Sequence, residues 1–94
     1  MNLSDRYEAD GEVSYQKLDD VTVIVHLSSG RIHHTNSTGS RIWELLENGR
    51  SMGEVLTQLE QEFRTPPDQF RQEVEEFVER LVNEKILRPV GTIK

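Results

Sequence analysis

The chain has 94 residues, a formal net charge of −6 and no cysteine. A chain of this length forms one small domain with a modest core, and without cysteine it can form neither a disulfide framework nor a thiolate zinc site. Binding to a phosphate backbone requires clustered Lys and Arg, whereas the 11 basic residues here are scattered among 17 acidic ones. Nucleic acid is therefore disfavoured as a partner, and a polypeptide partner stays open.

The N-terminus carries no sign of a secretion signal, because it lacks a basic start followed by an apolar run. No stretch of the chain approaches the roughly 18 apolar residues of a membrane helix. We therefore expect a cytoplasmic protein that does not associate with a membrane.

The first third of the chain is predicted to be β-structure. Residues 1–12 are polar with little periodicity, which predicts a flexible N-terminal segment. Strands are predicted over 13–18, 21–27 and 31–35, and the second is the strongest because it is β-branched and alternates apolar with other residues. Short turns between them predict an antiparallel meander whose third strand lies at an edge. The sequence leaves open whether a further weak strand forms around Ile86 and Leu87.

The rest of the chain is predicted to be three helices. The first follows Asn36 or Ser37 as its cap, and the second begins with the capping box formed by Ser51 and Glu54. The third starts at Pro66, with Thr65 as its cap, and runs to about residue 84. Together with the strands these helices predict an α+β, winged-helix-like domain over 13–88, followed by a C-terminal tail over 89–94.

The sequence offers little for catalysis or metal binding. His33 and His34 are neighbours in a predicted strand and point to opposite faces, so together with His26 they make a poor metal site. No nucleophile elbow and no Gly-rich phosphate loop is present. We therefore expect no enzyme activity, no metal and no cofactor.

Two features indicate a peptide-binding surface instead. The predicted third strand is an edge on which an extended peptide can add itself as a further strand, although an ordinary protected edge is the alternative. In the last helix a narrow core stripe is widened on one side by Val78 and Val82, next to Arg71 and Glu75. This side predicts an apolar groove floor beside the strand, unless Val78 and Val82 pack under the N-terminal segment.

Residues 36–46, with the sequence NSTGSRIWELL, resemble the N-x-T-G-x-x-I-W-x-L-L segment of the PqqD family. The resemblance extends from about Val13 to Leu87. It implies a RiPP recognition element, which is a winged-helix-like domain that binds the leader segment of a ribosomally made precursor peptide. In that family the leader adds to the third strand and packs on the last helix. By position, the resemblance implies that the peptide contacts Ile32, His33, His34, Thr35, Arg71, Val74, Glu75, Val78 and Val82.

The resemblance leaves two pathways open. Stand-alone members resemble either the peptide chaperone of a radical-SAM enzyme in pyrroloquinoline quinone biosynthesis or the leader-binding protein that serves a leader peptidase in lasso-peptide biosynthesis. The Thr-Gly and Ile-Trp pairs favour the second, and in both the protein itself makes no bonds. A winged-helix nucleic-acid-binding protein is the alternative of another class. The protein is expected to be a monomer or, through its edge strand, a strand-swapped dimer.

Overall fold

A computed structural model of the chain describes residues 2–64 and 67–90. The elements, in chain order, are β1 (Tyr7–Ala9), β2 (Val13–Leu18), β3 (Val21–His26), β4 (Ile32–His34), α1 (Ser37–Glu47), α2 (Met52–Phe63), α3 (Pro67–Asn83) and β5 (Leu87–Pro89). The predicted α+β class, with a three-stranded antiparallel meander followed by three helices, is confirmed.

The three-stranded sheet has the order β2-β3-β4, and both pairings are antiparallel. In β3 the side chains of Thr22 and Ile24 are buried at 2% and 0% exposure, on the face that the helices cover. Tyr15 of β2 lies on the same face, where its ring meets Trp43 edge-on at 5.1 Å. The helices therefore pack against one side of the sheet, and β4 is placed at its edge as predicted.

A second sheet joins the two ends of the domain. Strand β1, which lies in the segment predicted to be flexible, pairs with β5 so that Tyr7 faces Pro89 and Ala9 faces Leu87. Tyr7 is buried at 7% exposure, and Arg88 Nη2 lies 2.6 Å from Glu8 Oε2 across the pair. The late strand left open by the sequence is thus present, one residue beyond Ile86. The domain limits stay predictions, and residues 91–94 of the predicted tail lie outside the described part.

The helices begin where the capping residues predict. Asn36 caps α1 by accepting a hydrogen bond from the Gly39 amide at 2.8 Å. At α2 the amide of Ser51 donates to Glu54 Oε1 at 2.8 Å, and the Glu54 amide donates to Ser51 Oγ at 3.3 Å. The start of α3 was predicted at Pro66, which lies outside the described residues, and α3 begins at Pro67.

One continuous hydrophobic core holds the sheets and helices together. Its buried members are Tyr7, Ile24, Ile42, Trp43, Leu45, Leu46, Met52, Val55, Leu56, Leu59, Phe70, Val74, Val78, Leu81, Ile86 and Leu87. Within residues 2–64 and 67–90, no helix is long and apolar enough to cross a membrane.

Candidate functional site: the β4 edge and the adjoining face of α3

The free edge of the three-stranded sheet is formed by β4. The carbonyl of Arg31 accepts from the His26 amide at 2.9 Å, and the Thr35 amide donates to the Thr22 carbonyl at 3.0 Å. Because backbone groups alternate in direction along an antiparallel strand, those of Arg31, His33 and Thr35 point toward β3. The amides and carbonyls of Ile32 and His34 consequently point outward from the sheet, available to another strand.

The side chains of β4 divide between the two faces of the sheet. Ile32, at 59% exposure, and His34 lie on the face opposite the helices. His33 lies on the helix face and is half-buried. Thr35, on that same face, is buried at 8% exposure. Its hydroxyl accepts from the Thr22 amide at 3.0 Å, so Thr35 has a structural task beneath the site.

One carboxylate connects α3 to β4. Glu84, immediately after α3, places its Oε1 3.4 Å from His33 Nε2 and 3.6 Å from Arg31 Nη1. A helix turns by about 100° per residue, so Arg80, Phe77 and Glu73 lie on the same side as Glu84. This side, defined by Glu73, Phe77, Arg80 and Glu84, is the β4-facing side of α3.

A cleft of about 310 Å³ opens between the β4-facing side of α3 and the start of α1. Phe77 is half-buried there, with Gly39 behind it: a Cβ built on Gly39 would lie 3.1 Å from Phe77 Cε1 and from Thr35 Cβ. The remaining lining residues are Asn36, Thr38, Ile42, Phe63, Phe70, Glu73, Val74 and Arg80. An apolar floor with a charged rim is therefore present directly beyond the end of β4.

The residues predicted on α3 do not line this cleft, with the exception of Val74. Val74 and Val78 are core residues at 1% and 0% exposure. Arg71 forms an ion pair with Glu75 at 3.1 Å, and Glu75 is nine residues before Glu84, which places it on the opposite side of the helix. The structure therefore does not bring Arg71 or Glu75 next to β4.

The side of α3 that carries Val82 faces the N-terminal strand instead. Val82 lines a second cleft together with Tyr7, Glu79 and Pro89. Burial raises the pKa of Tyr7, and the carboxylates of Asp5, Glu79 and Glu75 raise it further. This arrangement agrees with the alternative that Val82 packs beneath the N-terminal segment.

The site residues predicted from the sequence do not include Glu73, Phe77, Arg80 or Glu84. These residues do have a signal, since they repeat at intervals of three and four along the helix. The sequence could not show which of two polar-flanked sides of α3 would lie beside β4.

The three histidines do not converge. His33 and His34 lie on opposite faces of the sheet, and His26 Nδ1 lies 3.1 Å from Ser29 Oγ in the β3–β4 turn. Among the described residues, no group of three or more His, Cys, Asp or Glu side chains is placed to hold a metal ion.

A family model described as Coenzyme PQQ synthesis protein D (PqqD) matches residues 22–87. The chain belongs to the PqqD family. The matched range begins in β3 and ends in β5, so it contains the whole β4 edge and the cleft beside it. A comparison with curated proteins gives no match.

Two solved structures share this PqqD fold. One is described as TbiB1 in complex with the TbiA(beta) leader peptide; it is 26% identical, with a TM-score of 0.83 over 93% of this chain and 99% of that chain. The other is a lasso peptide synthetase B1 complexed with the leader peptide, which is 21% identical, with a TM-score of 0.82 over 89% of this chain and 99% of that one. Both neighbours are small domains of nearly the same extent as this protein.

Proposed function

We propose that this protein binds the leader segment of a ribosomally synthesised precursor peptide and presents it to the leader peptidase of a lasso-peptide pathway. The leader adds as a strand to β4 and packs on the β4-facing side of α3. The observation that carries the proposal is the outward-pointing backbone of Ile32 and His34 beside a cleft that has an apolar floor and a polar rim. The two solved neighbours, both described as leader-peptide complexes, support it.

The geometry assigns different tasks to the strand and the helix. Backbone hydrogen bonds to Ile32 and His34 would supply affinity that does not depend on the leader sequence. Leader side chains on the helix face of the added strand would reach the cleft, where Phe77 offers an aromatic wall. Selectivity would then come from an apolar leader side chain in the cleft and from the charges of Glu73, Arg80 and Glu84 around it.

The protein is proposed to make and break no bonds itself. Its contribution to processing would be to raise the local concentration of the precursor at the enzyme, as a second binding site on one partner does. The predicted cytoplasmic location and the choice between monomer and strand-swapped dimer stay predictions.

The second candidate is a peptide chaperone for a radical-SAM enzyme in pyrroloquinoline quinone biosynthesis. The description of the matching family model favours it. The structural neighbours favour the lasso-peptide role, because one of them is described as a lasso peptide synthetase B1 and has the same fold, with a TM-score of 0.82. Adding the protein to each purified enzyme with its precursor separates the two, since only the true partner enzyme should be accelerated.

Leader binding is tested by titrating the protein with a fluorescent leader peptide from a precursor encoded beside it. Amide hydrogen exchange is then measured with and without the leader. We expect the Ile32 and His34 amides to gain protection, while the His33 amide, already bonded toward β3, changes little. Binding without protection at Ile32 and His34 would contradict strand addition, and absence of binding to every such leader would contradict the function itself.

A further inference from the structure

Arg80 carries an unpaired charge at the rim of the cleft beside β4. The guanidinium of Arg71, on the same helix, bonds to a carboxylate at 3.1 Å, and Glu84, one turn after Arg80, is already shared by Arg31 and His33. Within residues 2–64 and 67–90, no hydrogen bond or ion pair engages the guanidinium of Arg80, which is exposed and lines the cleft. The helix dipole favours a cation in the last turn of α3, but it does not require one on the β4-facing side.

The level of Arg80 along β4 follows from two contacts. Glu84 Oε1 lies 3.4 Å from His33 Nε2, while Phe77 and Thr35 approach the same glycine of α1. A helix rises about 1.5 Å per residue, so Phe77 and Glu84 are about 10 Å apart along the axis, and Arg80 lies about 4.5 Å beyond Phe77. Side chains on one face of a strand repeat about every 6.8 Å. In a strand added to β4, the side chain two positions from the one that meets Phe77 would therefore lie within reach of the long Arg80 side chain.

We propose that Arg80 selects leader peptides that carry Asp or Glu two positions from the apolar residue in the cleft, a proposal that rests on the proposed function. A planar guanidinium can donate two parallel hydrogen bonds to one carboxylate, which fixes its position as well as its charge. Phe77 sets the register by receiving the apolar side chain, and Arg80 reads the charge next to it. Arg80 is thus a specificity-determining residue, whereas the backbone of β4 accepts any extended sequence.

Glu73 makes this charge preference directional. It also lines the cleft, one turn from Phe77 on the side away from Arg80, and it lies about 10 Å from Arg80 along the helix axis. An acidic leader residue on that side of the apolar residue would approach the Glu73 carboxylate and be repelled. The two charges therefore favour one orientation of the leader along β4, because reversing the peptide would exchange its attraction to Arg80 for repulsion by Glu73.

The charge of the whole chain separates this preference from non-specific attraction. With a net charge of −6 the protein attracts basic peptides at long range. A preference for an acidic residue opposes that field, so it has to come from a cation close to the bound peptide. Position dependence is the mark of such a local contact, since a long-range field acts almost equally on neighbouring leader positions.

The test first finds the register with the fluorescent leader of the precursor encoded beside this protein. Alanine scanning of the leader is carried out against the wild type and against Phe77→Leu, which keeps an apolar side chain at this position. The leader residue that meets Phe77 is the one whose alanine substitution costs less affinity in Phe77→Leu than in the wild type. If no apolar leader residue couples to Phe77 in this way, the proposal is overturned.

Asp, Asn and Lys are then placed two positions before and two positions after that residue, and each peptide is titrated by fluorescence anisotropy. At one of the two positions we expect the wild type to bind the Asp peptide at least tenfold more tightly than the Lys peptide, with the Asn peptide between them. At the other position, beside Glu73, Asp should not be favoured. Arg80→Gln should abolish the preference for Asp, and Arg80→Glu should reverse it.

The matched control is Arg71→Glu, since Arg71 is an exposed arginine on the same helix that lies away from β4. Arg71→Glu and Arg80→Glu change the net charge equally, so a difference between them reports position and not total charge. Equal preferences for Asp in the two variants would overturn the proposal and leave leader binding intact. So would an encoded leader that has neither Asp nor Glu at either position. Absence of any leader binding by the wild type would instead contradict the proposed function, and this inference with it.

Discussion

Gly39 in α1 lies directly against Phe77 in α3: a Cβ at position 39 would be 3.1 Å from Phe77 Cε1. This distance is shorter than ordinary van der Waals contact, and Thr35 Cβ on the other side is equally close. The two helices can approach each other here only because position 39 has no side chain. The glycine of the family segment thus sets the width of the cleft beside β4.

The first prediction concerns that width. Gly39→Ala should shift Phe77 into the cleft and weaken leader binding about three- to tenfold, measured by fluorescence anisotropy. Gly53→Ala is the matched control, because its Cβ would meet Leu3 at 3.3 Å, in another part of the molecule. The control is expected to retain leader affinity. Equal affinities in the two variants would contradict a role of Phe77 in binding.

The second prediction uses proline to distinguish the outward-pointing amide of His34 from the amide of His33, which bonds to β3. His34→Pro removes an amide that points outward, so the fold should persist and leader binding should fall at least tenfold. His33→Pro removes an amide that bonds to β3 and should lower the melting temperature as well. Circular dichroism melting and leader titration on both variants provide the comparison. Full leader affinity in a folded His34→Pro protein would exclude strand addition at this edge.

The third prediction concerns the buried hydroxyl group of Thr35, which lies beneath the site. Thr35→Val would leave the buried Thr22 amide without the acceptor that it now has at 3.0 Å. An orphaned buried donor costs about 1–3 kcal/mol, so the free energy of unfolding should fall by that amount. Thr35→Ser retains the hydroxyl and should lose less. Urea denaturation of both variants measures the difference, and equal losses would show that the hydroxyl contributes nothing.

The fourth prediction concerns acid stability. The Arg41 guanidinium bonds to Glu62 Oε2 at 2.8 Å and to Glu44 Oε1 at 2.7 Å, and it lowers the pKa of both carboxyl groups. Since their folded pKa values lie below the usual value of about 4.3, these ion pairs stabilise the fold at higher pH. Their contribution is lost as the pH falls below about 4.3 through the folded pKa values.

Removing the guanidinium should therefore lower stability more at pH 7 than in acid. Arg41→Gln should lower the free energy of unfolding at pH 7 by at most about 1 kcal/mol, because the groups are about one-third exposed. The difference from the wild type should shrink as the pH is lowered and the two carboxyl groups become protonated. Arg71→Gln removes the more exposed pair with Glu75 and serves as the control, with a smaller difference both at pH 7 and in acid. If the loss in free energy of unfolding caused by Arg41→Gln did not change with pH, protonation of Glu44 and Glu62 would not be coupled to stability through Arg41.

Local sequence signals predicted the elements that depend on neighbouring residues. The side-chain oxygens of Asn36 and Ser51 cap helices within three residues, so their positions could be read directly. The alternation of β2 and β3 likewise predicted the meander and placed β4 at an edge. Strand β1 was missed because three residues carry no usable periodicity, and its partner β5 follows it by about eighty residues.

The candidate site, too, combines features that depend on neighbouring residues with features that depend on contacts between distant ones. The sequence by itself determined the edge strand, the helix caps and the family segment, because each depends on residues close together in the chain. Only the tertiary structure decided that the Phe77 side of α3 lies beside β4, and that Ile32 and His34 rather than His33 offer free amides. The reason is physical: an amphipathic helix such as α3 has polar residues on both flanks of its apolar stripe. Its rotation relative to the sheet is fixed by the packing of Val74 and Val78 in the core and by Glu84 beside His33.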